Sequence, residues 1–380
     1  MAAGTNRKIS AASARSHTRR ANKSSGLTLP SGIFPAVLLL LLAGLVAWGY
    51  QAIQPPPPKI CGSCDGPPVT ASRIQLRDGR HLAYQERGVS KDVAKIKVVF
   101  IHGFDVCRLD DVIATYTSPE LVEELGIYFV SYDRPGYGES DPHPSRTVKS
   151  QAFDIEELAD QLGLGTKFYL IGYSLGGQIG WGCLKYIPHR LAGVTLLAPA
   201  SNYWWPGFPS NLSTEALYQQ PTCDYWSLRV AHYAPWLTHW WNTQNWFPSL
   251  GATRPHVLSR EEREVMAKLI AKGASHRVIF HEHVRPQGEY ESLHRDLNLG
   301  FGTWEFDPVE MENPFTGEEV YAHLWQGDED TLVPATLQRY IADRHSSWIR
   351  YHELAGSGHF FPHVDWMADT IVKTMVNGKQ

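Results

Sequence analysis

From residue 97 onward the chain alternates short apolar runs with helical stretches, and each run stops at a polar cluster rich in glycine. Residues 97–101 are β-branched enough for a buried strand and end in His102-Gly103-Phe104-Asp105. Residues 128–132 end in Asp133-Arg134-Pro135-Gly136-Tyr137-Gly138, and an amphipathic helix over 153–162 follows. Residues 168–171 stop at Gly172-Tyr173-Ser174-Leu175-Gly176-Gly177, after which a helix runs to Tyr186 and Pro188 halts it. Residues 194–197, 323–326 and 348–354 read as three more strands. Upstream, extended runs 73–77 and 82–87 flank Asp78-Gly79, a hairpin signal. This alternation predicts an α/β fold with a mostly parallel sheet covered by helices on both faces. Ligands on such sheets bind at the carboxyl ends of strands, so the polar clusters are candidate site residues by position.

A chain of 380 residues with 43% apolar content suits one catalytic domain with extra segments. A formal net charge of −4, with no basic stripe after the first thirty residues, argues against a nucleic-acid partner.

Gly172-x-Ser174-x-Gly176 matters because it follows a buried strand and opens a helix. A Cβ at either glycine would crowd the turn, which lifts the Ser174 hydroxyl above the sheet edge. A serine hydroxyl is a weak nucleophile near neutral pH and needs a base. His359, in the glycine-rich loop after the last strand, is the candidate among seventeen histidines. The base needs a carboxylate to fix its tautomer. Asp330 follows the strand 323–326, with Asp328 and Glu329 as competitors on the same loop. The bland readings are a serine cap on a plain strand-to-helix turn, a loop histidine and three solvating acids.

His-Gly, Asp-Arg-Pro-Gly-Tyr-Gly-x-Ser, the serine turn, Gly-x-x-Asp-x-x-Val-Pro and Gly-x-Gly-His occur in this order. Together they resemble the α/β-hydrolase superfamily, in particular its plant branch with a basic tail, membrane segment and Pro-rich linker. The resemblance runs from about residue 70 to the C-terminus. It implies that Asp330 is the acid of a Ser174–Asp330–His359 triad. It also implies an oxyanion hole made by the backbone N–H groups of Phe104 and Leu175. Asp105, next to one of these donors, would oppose an oxyanion, and we expect it to turn away toward Arg108 or Arg134. Relatives that open epoxides use an aspartate nucleophile, and Ser174 stands at that place here. Asp133 reads as a loop-fixing residue.

Some 120 residues between Pro199 and Tyr321 exceed what the core fold needs and are expected to form a helical lid at about 200–320. Helices are hinted at 215–218, 225–241 and 259–272, the last with a charged face from Arg260 to Glu264 and an apolar face of Val265, Leu269 and Ile270. Eight of the thirteen tryptophans lie in this insertion, suiting an apolar substrate or simply packing the lid. His281-Glu282-His283 has metal-touching spacing but no third ligand nearby, and reads as a surface strand.

Residues 1–32 are basic, lack acids and read as a disordered tail. Residues 33–50 carry no charge and end near Trp48 and Tyr50, which reads as a transmembrane helix with an aromatic belt. The basic flank precedes the span, which predicts a cytosolic N-terminus and a lumenal catalytic domain. A plastid or mitochondrial transit peptide is the alternative. Residues 51–68 form a Pro/Gly-rich linker, and the domain is expected to start near Val69. Cys61 and Cys64 could pair if that side is oxidising. Asn211-Leu212-Ser213 is a sequon usable only on the lumenal side.

These features predict a membrane-tethered serine hydrolase of small-molecule carboxylic esters that needs no cofactor or metal. The alternatives are an acyltransferase with the same triad and a hydrolase-fold small-molecule receptor with little turnover.

Overall fold

The computed structural model describes residues 33–247, 249, 259–271, 281–315 and 320–378. The basic tail and parts of the lid lie outside the described residues. The chain divides into two compact units, residues 1–53 and 54–380. In the first, α1 (Ile33–Ala52) is a 20-residue helix. Its stretch Phe34–Ala52 is long and apolar enough to cross a membrane, by length and composition.

The second unit is built on an eight-stranded sheet of order β1-β2-β4-β3-β5-β6-β7-β8. The strands are β1 (Ser72–Gln75), β2 (His81–Gly88), β3 (Ile96–Ile101), β4 (Ile127–Tyr132), β5 (Phe168–Tyr173), β6 (Leu191–Leu197), β7 (Ala322–Gly327) and β8 (Ile349–Leu354). β1 and β2 form the hairpin signalled by Asp78-Gly79, with Gly79 at φ +90°, and β2 runs antiparallel to β4. The remaining pairings are parallel.

The strand residues alternate between two apolar layers, as the period of two requires. Val99, Ile101, Val130 and Tyr132 face one layer, and Val98, Phe100, Ile127 and Phe129 face the other. Helices α2 (Val112–Tyr116) and α3 (Pro119–Leu125) lie on the second layer, α4 (Val148–Gln161) and α5 (Leu175–Tyr186) on the first. Leu158 and Leu184 are buried from α4 and α5, while Ile113 and Leu121 are buried from α2 and α3. With both faces covered, the inner strands read as continuous apolar runs rather than alternating ones.

The chain leaves β3 toward β4 and later returns to the other side of β3 as β5. Neighbouring connections therefore diverge at the carboxyl ends of β3 and β5, the switch point at which ligands bind in sheets of this kind.

Between β6 and β7 lie the lid helices α6 (Ser210–Tyr218), α7 (Thr222–Tyr233), α8 (Thr238–Thr243), α9 (Arg260–Ala271), α10 (His281–Val284) and α11 (Arg295–Phe301). A π-helical turn, Tyr290–His294, leads into α11. The surface strand expected at His281-Glu282-His283 is instead the helical turn α10. α12 (Ala335–Arg344) follows β7 and α13 (Met367–Asn377) ends the fold.

Residues before Val69 are tied to the domain. Lys59 N donates to Gln287 O at 3.1 Å and Cys61 N to Gln287 Oε1 at 3.2 Å. Cys61 is buried and Cys64 exposed, and both thiols are free. Burial and the carboxylate of Glu139 push the Cys61 thiol up to about 11.

Candidate active site

Ser174 sits between β5 and α5 at φ 55° and ψ −120°, a backbone conformation that costs a non-glycine residue about 1–3 kcal/mol. Its neighbours must be glycine. A Cβ on Gly172 would come 2.6 Å from Gly176 O, and one on Gly176 would come 2.2 Å from Ile101 O. The packing that enforces the turn is thus backbone against backbone, with nothing able to yield.

His359 reaches this turn from the loop after β8. Its Nε2 lies 3.1 Å from Ser174 Oγ, and its Nδ1 lies 2.8 Å from Asp330 Oδ2. A proton on Nδ1 serves the carboxylate and leaves Nε2 to accept from the serine hydroxyl. The Asp330 carboxylate is buried and fully engaged. Oδ1 accepts the backbone N–H groups of Leu332 at 2.9 Å and Val333 at 2.7 Å, and Oδ2 also accepts from Gln326 Nε2 at 2.9 Å. The imidazole stacks on Tyr173, whose hydroxyl donates to His359 O at 3.0 Å. Of the competing acids, Asp328 accepts from Gly356 N at 2.7 Å and so ties the acid loop to the histidine loop. Asp328 and Glu329 are exposed.

The loop after β3 closes on the same point: a Cβ on Gly103 would lie 3.1 Å from Ser174 Cβ. This brings the Phe104 segment beside Ser174. Leu175, the first residue of α5, presents an N–H with no partner inside its own helix. His102 is fully buried and bridges two loops, with Nδ1 2.9 Å from Gly103 O and Nε2 accepting from Arg134 N at 3.0 Å. Burial, then the charges of Arg134 and Arg146, hold His102 well below the ordinary histidine range, so it is neutral.

Asp105 turns to neither Arg108 nor Arg134. It is held by Arg285, which follows α10, through two parallel contacts, one of them Nε to Oδ1 at 2.7 Å. The two expected partners are engaged elsewhere. Arg108 binds Asp133 and Glu139. Arg134 donates to the carbonyls of His102 at 3.0 Å and Gly103 at 2.7 Å, and forms a buried pair with Asp296 of α11. Asp133 has no exposed surface and accepts from Arg108 N at 2.8 Å and Glu139 N at 2.9 Å, which fixes its loop.

The lid tryptophans divide. Trp205 is buried in the main core against Trp304, whereas Trp226, Trp236 and Trp246 are exposed. On the loop after β3, Phe104 packs against a separate apolar cluster that includes Tyr137, Val284 and Leu293. An open cleft of about 290 Å³, lined by Arg146, Lys149, Tyr186, Arg295 and Trp304 among others, has none of Ser174, Asp330 or His359 in its wall. The sequence reading missed Arg285, Asp296 and Glu262, all from the lid.

Residues 98–372 match the alpha/beta hydrolase family, and the chain belongs to it. A pimeloyl-[acyl-carrier protein] methyl ester esterase of Sodalis glossinidius (strain morsitans) is 29% identical over 29% of this chain and 40% of its own length. Protein ABHD14A of Mus musculus is 26% identical over 44% of this chain and 66% of its own length. The chain thus spans less than two thirds of either relative. Among solved structures, a thermophilic esterase from Thermogutta terrifontis has TM-score 0.52 and 17% identity, covering 82% of this chain and 100% of its own. An alpha/beta hydrolase fold protein from Chitinophaga pinensis has TM-score 0.52 and 14% identity, covering 82% and 98%. At these identities the solved structures share the fold.

Proposed function

We propose that this protein is a serine hydrolase of carboxylic esters, with Ser174 as nucleophile, His359 as base and Asp330 as the acid that orients it. The observation that carries the reading is the hydrogen-bonded line from Ser174 Oγ through His359 to Asp330, at 3.1 and 2.8 Å. Ser174 Oγ attacks the ester carbonyl while His359 Nε2 takes its proton. The tetrahedral oxyanion is received by the N–H groups of Phe104 and Leu175. His359 then returns the proton to the departing alkoxide, which leaves as the alcohol. Water, deprotonated by His359 in turn, frees the acid and restores Ser174. Asp330 remains ionised throughout and stabilises the imidazolium.

The esterase relative supports an ester substrate, and the apolar cluster of Phe104, Tyr137, Val284 and Leu293 beside the oxyanion loop supports an apolar group on it. The proposal extends to α1 as a membrane anchor, with the basic tail cytosolic and the domain lumenal.

A fluorophosphonate probe tests the mechanism. We expect it to label the folded wild-type protein on Ser174 and to leave Ser174→Ala unlabelled. A folded sample that does not react, or a variant that still does, overturns the reading.

A further inference from the structure

We propose that Glu262, on the lid helix α9, is a positioning residue that holds the His359 and Asp330 loops in register. The inference rests on the serine-hydrolase reading and adds to it a residue from a different part of the chain.

Glu262 has no exposed surface, although it sits between Glu261 and Arg263 in a charged stretch. A carboxylate stripped of water needs donors, and this one has four. Oε1 accepts from His359 N at 2.8 Å and Thr331 N at 3.3 Å. Oε2 accepts from Thr331 Oγ1 at 2.7 Å and Ser259 N at 2.7 Å. Three of these donors belong to His359 itself and to Thr331, the residue after Asp330. One side chain therefore spans the same two loops that the His359–Asp330 hydrogen bond spans. The adjacent Glu261 adds a bond from Gly358 N at 2.7 Å.

The site is shaped for this contact. A Cβ on Gly358 would lie 2.3 Å from Glu262 Cγ, so glycine there is what lets the glutamate in. One turn along α9, Val265 and Met266 pack with Phe360, Leu332 and Val364, residues that follow His359 and Asp330. The face of α9 that meets the domain thus begins with a carboxylate where loop N–H groups need an acceptor and continues with apolar residues over the loops' side chains. Removing the carboxylate frees His359 N and Thr331 and leaves the imidazole with more than one resting place relative to Ser174. Small displacements of a reacting group are costly, on the order of 10²-fold for about 1 Å.

The test compares Glu262→Ala, Glu262→Asp and Glu262→Gln in the full chain, by kcat and KM on a soluble 4-nitrophenyl ester, the rate of fluorophosphonate labelling and the melting temperature. Gln keeps the reach and one acceptor oxygen, whereas Asp keeps the charge and withdraws it by one methylene. We expect Ala to lose about 10²-fold and Asp about 10-fold in kcat and labelling rate, Gln to stay within about threefold, and KM to move less than about twofold. Val265→Ala, which loosens the same helix without touching the polar contacts, should lower the melting temperature and leave kcat within about twofold. If Glu262→Ala melts lower but keeps wild-type kcat, Glu262 only anchors the helix and the proposal fails. If Ala does not fold, Asp and Gln decide: Asp slower than Gln supports it, and both at wild-type kcat overturn it. A folded wild-type protein that the probe does not label overturns the serine-hydrolase reading instead, and this inference with it.

Discussion

Arg285 holds Asp105 on the loop after β3, Nε to Oδ1 at 2.7 Å, and the two residues lie 180 positions apart in sequence. Asp105 has φ 58°, so the backbone itself turns there. In the proposed mechanism this pairing neutralises a buried carboxylate next to Phe104, a proposed oxyanion donor. We expect Arg285→Ala to lower kcat by about 10-fold, because Asp105 is left unpaired next to Phe104. Adding Asp105→Asn should recover most of the loss. Steady-state kinetics of the two single variants and the double variant check this, and additive losses would contradict it.

Asp330→Asn should keep the fold, since Leu332 N and Val333 N still find an oxygen, but it no longer selects the Nδ1–H tautomer of His359. We expect kcat to fall by about 10³–10⁴-fold with little change in KM. A loss under 10-fold, measured on a sample with wild-type melting temperature, would move the acid role to another residue.

Asp296 is paired with two buried arginines, at 2.6 Å to Arg134 and 3.1 Å to Arg146. Removing one member of a buried ionic cluster leaves the others uncompensated, so Asp296→Ala should cost about 3–5 kcal/mol. Urea unfolding with an unchanged slope and a lower midpoint is the expected result. Because Arg134 also binds the carbonyls of His102 and Gly103, labelling of Ser174 should slow as well.

His323 is buried and lies 3.0 Å from His352 across β7 and β8. Burial, then His352 and Arg350, lowers it from 6.5 to about 4. Between these values the unfolded chain binds a proton that the folded chain refuses. Its contribution is therefore complete above pH 6.5 and is lost as pH falls toward 4, by about 3 kcal/mol at most. Melting temperature should be level above pH 6.5 and fall below it, and His323→Leu should make the fall shallower. An equal slope in the two proteins would show that other groups carry the acid sensitivity.

The sheet was legible because its information is local. A buried strand needs only a run of apolar residues, and a strand-to-helix turn with backbone packed on backbone admits glycine alone on either side of Ser174. His359 and Asp330 were legible by position, since each follows a strand and the carboxyl ends of strands converge. The charged face expected from Arg260 to Glu264 contains one residue, Glu262, that is buried. A signal was present: Glu262 stands three and four residues before Val265 and Met266, on the face that meets the domain.

The sequence by itself determined the α/β class, the turn that carries Ser174 and the order of the candidate triad, because each depends on spacing within one segment. Tertiary structure alone decided which polar groups meet. Glu262 reaches His359 across 97 residues and Arg134 reaches Asp296 across 162. Asp105 was expected to find a neighbour in its own or the next loop and found Arg285 of the lid instead. An ion pair forms with whichever countercharge the packed chain brings within about 3 Å, and no periodicity in the sequence encodes that approach.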